Sequence, residues 1–194
     1  MSRSVRPAAN HLGDAFEPVL AAARTGEGWA AERLWRSLAP AVAGYLRAQG
    51  ASEPEDLTSE VFLGVFRAIG TFSGDEPGFR SWVFTIAHRR LVDDRRRARR
   101  RPPPSELSPG DVDRSPGRSA EQEALRRVGT ERVRDLCDQL VPDQRDVLLL
   151  RLVAGLTVEE VAHTVRRSEG AVKALQRRAL CAVRRNLDRQ GVPL

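Results

Sequence analysis

The sequence predicts an all-α protein: two small helical domains joined by a Pro-rich linker, the C-terminal one a helix-turn-helix. Three observations carry this expectation. Apolar residues recur at helical spacing from Asp14 onward, and no run of alternating strand residues interrupts them. The segment PPPSELSPGDVDRSPGRSA, Pro102 to Ala120, is too rich in proline, glycine, serine and charge for a regular helix or strand. Near the C-terminus, two helix-start signals stand one short helix apart. A chain of 194 residues has room for one or two such domains, each with a modest core. The division follows as a disordered arm over 1–12, a first domain over 13–101, a flexible linker over 102–120 and a second domain over 121–194.

The elements follow in order. A first helix covers Asp14 to Arg24, and TGEG breaks it. A second runs from about Trp29 to Ala48 with Leu34, Leu38, Val42, Tyr45 and Leu46 inward; Pro40 should kink it or interrupt its hydrogen-bond ladder. Ser52 with Glu55 three residues on, and Pro54 in the first turn, marks the start of a third, EPEDLTSEVFLGVFRAIG. TFSGDEPGF then reads as a turn-rich loop. A fourth helix, about Arg80 to Arg99, carries Trp82, Val83, Ile86, Ala87 and Leu91 before an arginine run.

The most specific signal lies between Val141 and Leu187. Thr157 and Glu160 form a capping box at the head of a short helix whose apolar face is Val158, Val161 and Ala162. After a short turn, Ser168 caps a second helix reaching about Arg185, with Val172, Leu175, Ala179 and Val183 inward. Lys173, Gln176, Arg177 and Arg184 fall on another face, flanked by Arg178. A helix so divided can lie in a major groove, with Gln and Arg at base edges and further cations on phosphates. An amphipathic core helix with a solvated cationic face is the plainer reading of the same pattern.

Charge agrees with a polyanionic partner. The net charge is +6 and the pI near 10.7. Arg95, Arg96, Arg97, Arg99, Arg100 and Arg101 form one cluster, while Glu53, Glu55, Asp56 and Glu60 form a local acidic surface, so two different partners are expected. Cys137 and Cys181 match no metal or redox spacing; Cys137, beside Val133, Leu136 and Leu140, reads as a buried thiol, which suits a reducing compartment. MSRSVRPAANHLG lacks the apolar stretch of a signal peptide, and no run approaches the roughly 20 apolar residues of a membrane span. A cytoplasmic location with no membrane contact is expected. No phosphate-binding loop, zinc-protease motif or catalytic constellation is evident. No catalytic residue, cofactor or metal is therefore expected, and an enzyme fused to a DNA-binding domain is disfavoured.

EDLTSEVFLGVFRAI, FRSWVFTIAHRRLVDDRRR, and LTVEEVA with SEGAVKALQRRA, in this order around a Pro-rich linker, resemble the extracytoplasmic-function group of bacterial sigma factors in the sigma-70 superfamily. The resemblance covers nearly the whole chain. It implies an RNA polymerase specificity subunit that binds core polymerase, recognises minus-35 and minus-10 promoter elements and directs initiation. The implied partners are core polymerase, through its β′ clamp helices and β subunit, promoter DNA, and an anti-sigma protein. A free-standing dimeric helix-turn-helix regulator is the alternative.

Residue by residue, the resemblance implies that Asp56, Glu60, Phe62 and Phe66 face the β′ clamp helices. For the two phenylalanines, core and interface are equally good readings. It implies that Arg80, Trp82, Thr85, His88 and Arg89 lie near the non-template strand of the minus-10 element, with the loop Phe72 to Phe79 holding an extruded base. The arginine run that begins with Arg95 and Arg96 reads either as a solvated face or, from its density beside this helix, as a phosphate contact, which is favoured. For Trp82 a core role is the more common reading. The minus-35 reader would comprise Ser168, Lys173, Gln176, Arg177, Arg178 and Arg184. In relatives the linker threads through the polymerase; here Glu106, Asp111 and Asp113 would make it acidic, although a passive tether is an equal reading. Three positions depart from the family pattern: Ser59 where a longer amide is common, Arg89 where many relatives have asparagine, and Arg166 where glycine is common in the turn. A left-handed backbone at Arg166 would cost on the order of 1 kcal/mol relative to glycine, so either the turn rearranges or the arginine serves as a phosphate contact.

Overall fold

The computed structural model describes residues 11–100, 136–137 and 139–189. The expectations for residues 1–10, for the linker over 102–120 and for residues 121–135 lie outside them. Among the described residues there are helices and turns and no strand.

Four helices build the N-terminal half. A single 3₁₀ turn leads into α1, Phe16–Arg24, and a two-residue break after Thr25 precedes α2, Gly28–Ala48. α2 continues through Pro40 without ending there. α3 spans Pro54–Ala68 and α4 spans Glu76–Arg100. Their apolar faces meet over Leu20, Leu34, Tyr45, Leu46, Phe62, Phe79, Phe84 and Leu91, each less than 2% exposed. Aromatic pairs knit the helices together: Phe16–Phe79 joins α1 to α4 and Trp35–Phe62 joins α2 to α3, both tilted, while Phe72 meets Phe79 edge-on at the start of α4.

Three local expectations need correcting. Residues 11 and 12, assigned to a disordered arm, are held: the Leu12 and Gly13 amides donate to the Glu76 carboxylate at 2.7 and 3.0 Å. Ser52 does not cap α3. The N-cap is Glu53, with no side-chain hydrogen bond, and Pro54 alone shapes the first turn. Glu55, the expected return partner of Ser52, accepts from Arg47 Nε at 3.0 Å instead, so a long-range ion pair displaces the local box.

The third correction concerns the fourth helix, which starts four residues before Arg80. Asp75 provides the missing start signal. Its carboxylate accepts the Gly78 amide at 2.9 Å, and Pro77 suits a first turn whose amides have no helical partner. The turn-rich loop therefore shrinks to residues 72–75. At Gly74, φ is 144° and an added Cβ would lie 3.2 Å from the Phe72 ring, so glycine lets the loop fold over its own aromatic residue.

The C-terminal half comprises α5, Pro142–Leu152, α6, Val158–Val165, and α7, Glu169–Arg189. The capping box at α6 forms as expected: Glu160 N donates to Thr157 Oγ1 at 3.2 Å, and Thr157 N to Glu160 Oε2 at 2.6 Å. Ser168 Oγ accepts the Ala171 amide at 3.3 Å, and α7 runs one turn beyond Arg185. Arg166 adopts the left-handed conformation, φ 55° and ψ 50°, so the turn keeps the glycine-like path and the arginine bears its strain. Cys137 is 3% exposed, in agreement with a buried thiol, and Cys181 is exposed. The two halves touch: α4 lies against α6, and α2 against α5.

Candidate nucleic-acid interface

Three groups of candidate residues take different fates. On α7, the expected division holds except at Gln176, which is half-buried. Val172 and Ala179 are fully buried, Leu175 and Val183 are half-buried against the core, and Lys173, Arg177, Arg178 and Arg184 are exposed. Ser168 is spent on the cap, and Lys173 pairs with Glu169 at 3.3 Å. Arg177, Arg178 and Arg184 have no hydrogen-bond or ion-pair partner among the described residues, so their donors are available to a ligand. Arg177, Arg178 and Arg185 line a shallow depression of about 220 Å³ with Gln144 and Cys181. α6 lies beneath this helix with its N-terminus capped, and the arginine beside it, Arg167, is tied to Asp143 of α5.

On α3, Asp56 and Glu60 are exposed and unpaired among the described residues. The phenylalanines separate. Phe62 is 1% exposed, with its ring centroid 4.6 Å from that of Trp35, and belongs to the core; Phe66 is half-buried beside it. Leu63, 56% exposed, is the apolar residue on the carboxylate side of the helix. The sequence contained that signal: Asp56, Glu60 and Leu63 follow one another at four- and three-residue spacing and share a face.

On α4, the candidates do not form one open face. Trp82, Arg89 and Arg96 recur every seven residues and lie along one flank. Trp82 is half-buried, its ring 5.3 Å from Phe72 and 5.7 Å from Phe79, which makes it an edge of the aromatic core with one side open. Arg89 and Arg96 are exposed. The remaining residues turn inward, His88 and Arg95 toward the end of α2 and Arg80 and Thr85 toward the C-terminal half. Thr85 is 5% and His88 8% exposed. Arg80 stacks on Phe84 at 5.4 Å and donates to the Ala154 carbonyl. Arg95 donates to the Gln49 carbonyl at 2.9 Å and to Gln49 Oε1 at 2.7 Å, and lies 3.5 Å from Asp146. The loop expected to hold an extruded base is filled by Phe72, which is 9% exposed.

Beneath that face lies a buried polar chain. Gln49 Nε2 donates to Asp146 Oδ1 at 2.8 Å and to the Tyr45 hydroxyl at 3.3 Å, and that hydroxyl stands 3.0 Å from His88 Nδ1. Burial pushes the Tyr45 phenol far above its usual range, helped by the Asp146 carboxylate. Burial likewise holds the His88 imidazole below its usual value, Asp146 opposing and Arg95 reinforcing the shift. Gln49 and Asp146 are separated by 97 positions, and no sequence pattern announces their pairing.

Among the described residues, no group of three His, Cys, Asp or Glu side chains could hold a metal ion, and no helix is long and apolar enough to cross a membrane. A capped helix-turn-helix with a basic second helix, carried beside a separate helical unit with its own arginine-rich helix, defines a DNA-binding protein of the transcription machinery. The comparisons with known proteins specify which kind. Residues 34–101 match the Sigma-70 region 2 family and residues 137–185 the Sigma-70, region 4 family. The chain is 34% identical over 188 residues to the ECF RNA polymerase sigma factor BldN of Streptomyces coelicolor, covering 94% of this chain and 69% of that one. It is 31% identical over 183 residues to the ECF RNA polymerase sigma factor SigD of Mycobacterium tuberculosis, covering 91% and 85%. The structure of CnrH in complex with the cytosolic domain of CnrY matches with a TM-score of 0.64 at 24% identity, over 88% of this chain and 96% of that chain; this supports the fold. The chain belongs to the ECF RNA polymerase sigma factors of the sigma-70 family, and a free-standing dimeric regulator is not favoured.

Proposed function

We propose that the two halves divide promoter recognition between them, with α3 as the docking helix for core polymerase. Asp56 and Glu60 supply charge to a basic partner and Leu63 an apolar anchor, a combination that gives orientation and contact at once. Trp82, Arg89 and Arg96 offer a stacking edge and two cations to the single-stranded minus-10 element, joined by Arg80, Thr85, His88 and Arg95 once that face is free. α7 reads the minus-35 element in the major groove through Gln176 and Arg177, and Lys173, Arg178 and Arg184 hold phosphate. The chain works as a binding subunit in the cytoplasm: strand separation draws on affinity for the opened strand, and no bond-making step is assigned to any residue. An anti-sigma protein is a fitting partner, since the structural relative CnrH is described in complex with CnrY.

The observation that carries this reading is the set of guanidinium groups along the exposed face of α7 that have no partner among the described residues, above a buried face that fixes their orientation. Run-off transcription with purified core polymerase on a genomic promoter library tests it. The chain should direct initiation from a defined set of promoters sharing a minus-35 and a minus-10 element. Binding of the chain alone to a duplex palindrome, with no effect on core polymerase, would refute it.

A further inference from the structure

We propose that Glu169, the first residue of α7, is a specificity-determining residue of the minus-35 reader, its carboxylate accepting a hydrogen bond from the 4-amino group of a cytosine in the major groove. This deepens the assignment of α7 to the minus-35 element and rests on it.

α7 carries Lys173, five arginines and two carboxylates, Glu169 and Asp188. Asp188 stands at the far end, while Glu169 opens the face assigned to DNA. Glu169, Lys173 and Arg177 follow at four-residue steps, so they share one side of the helix, and all three are exposed. A carboxylate in that place is repelled by phosphate, and its surroundings offset the repulsion. Lys173 Nζ lies 3.3 Å from Glu169 Oε2, and both side chains are more than half exposed. The ammonium neutralises the charge, and one bond to Lys173 leaves the carboxylate with acceptor capacity free toward the groove.

Two arguments favour base reading over a purely structural acid. The start of α7 is already capped, since Ser168 Oγ accepts the Ala171 amide at 3.3 Å. Glu160, the acid of the other capped helix in the motif, turns back onto the Thr157 amide at 2.6 Å; the Glu169 carboxylate instead bonds along its helix to Lys173. Chemistry is the second argument. Lys173, Arg177 and Arg184 offer only donors, which suit guanine O6 and N7. Glu169 offers only acceptors. Guanine and thymine would set acceptors against it, and adenine has the N7 acceptor beside its amino group; cytosine presents the amino donor alone. Glu169 and Arg177 stand eight residues apart, about 12 Å along the helix. The cytosine should therefore lie within about four base pairs of the base that Arg177 contacts.

The test uses holoenzyme and duplexes carrying the minus-35 element of a promoter that it transcribes, with each cytosine of either strand replaced in turn by N4-methylcytosine. The methyl group takes the place of the amino hydrogen that points into the groove, and base pairing is kept. At one cytosine, wild type should lose about tenfold in affinity, and Glu169→Ala should show no such loss. Exchanging that pair for each of the other three should cost wild type a similar factor and the variant much less. An acid that only supports the helix start would lower the melting temperature or shift affinity for all duplexes alike, leaving these differences intact. If Glu169→Ala loses helicity, Glu169→Asp keeps the charge, withdraws the carboxylate by one methylene and should show the same insensitivity. Wild-type holoenzyme that discriminates among minus-35 base pairs yet tolerates N4-methylcytosine at every position overturns the proposal, and so does an element without a G·C pair. Holoenzyme indifferent to every minus-35 base pair overturns instead the assignment of α7 as the base reader.

Discussion

Thr85 and Thr164 place their hydroxyl oxygens 2.9 Å apart across 79 positions of sequence, and this pair joins the two halves of the chain at the centre of their contact. Each sits on a helix with a separate proposed role, since α4 carries the arginine-rich face and α6 packs against α7, the helix proposed to read the minus-35 element. These separate roles can be tested one at a time.

Phe62 and Leu63 are neighbours with opposite expected effects. Phe62→Ala removes a ring packed on Trp35 and should cost about 3–5 kcal/mol of stability, seen as a lower midpoint in urea unfolding. Leu63→Glu alters an exposed side chain and should leave that midpoint within about 0.5 kcal/mol. It should nevertheless weaken binding to core polymerase about tenfold or more, as loss of an apolar anchor does. Unchanged affinity for core in Leu63→Glu would remove α3 as the docking helix.

Arg177 and Arg184 should separate base reading from phosphate holding. Arg177→Ala should flatten discrimination among single-base minus-35 variants by about 1–3 kcal/mol at one position. Arg184→Ala should weaken all variants alike and reduce the salt slope of binding by about one unit. Holoenzyme binding to a panel of duplex variants at several salt concentrations distinguishes the two. An unaltered preference profile in Arg177→Ala would move base reading to Lys173 and Gln176.

Arg166 bears a left-handed backbone, so Arg166→Gly should stabilise the folded chain by about 1 kcal/mol, measured as a higher melting temperature. Duplex affinity tests its other role. Weaker minus-35 binding in the more stable variant would mark Arg166 as a phosphate contact, kept at the expense of backbone strain.

His88 should give stability a dependence on mild acid. The groups around it are Tyr45 on α2, Asp146 on α5 and Arg95 on its own helix, and burial is the largest influence on its proton. Its folded value lies below the usual value of about 6.5. Above that value the ring is neutral in both folded and unfolded chains, and the stability is fully present. As pH falls below it, the unfolded chain takes up a proton that the folded chain resists, and stability declines until the folded value is passed. Urea unfolding from pH 7.5 down to pH 5 should show this decline, and His88→Gln should flatten it. The same slope in both proteins would assign the effect to other groups.

Much of the fold was legible in the sequence because the relevant physics is local. The capping box at Thr157 and Glu160, the cap at Ser168 and the apolar stripe of α7 are each set by residues within one or two turns. The exposed cations of α7 follow from the same periodicity, as does the burial of Leu34, Leu38 and Val42 on α2. The start of α4 was local too, but its signal was a single aspartate, and the glycines and proline around Asp75 read as loop. What periodicity could not settle was which apolar residue of a helix faces a partner and which faces the core. Phe62 and Leu63 are adjacent, and only the position of Trp35 on another helix decides between them.

Tertiary structure alone decided the state of the α4 face proposed for the minus-10 strand. Arg80, Thr85, His88 and Arg95 can be placed on α4 from sequence, but their present partners lie at Ala154, Thr164, Tyr45 and Gln49, with separations from 43 to 79 positions. Hydrogen bonds between such distant residues leave no periodic trace, because each needs one suitable atom at one point and imposes no pattern on its neighbours. The sequence by itself determined that the chain carries these donors. Whether Arg80 and Thr85 are open to a partner or packed on the chain's own second half depends on how the two halves meet, through long-range polar and apolar contacts that no local signal encodes.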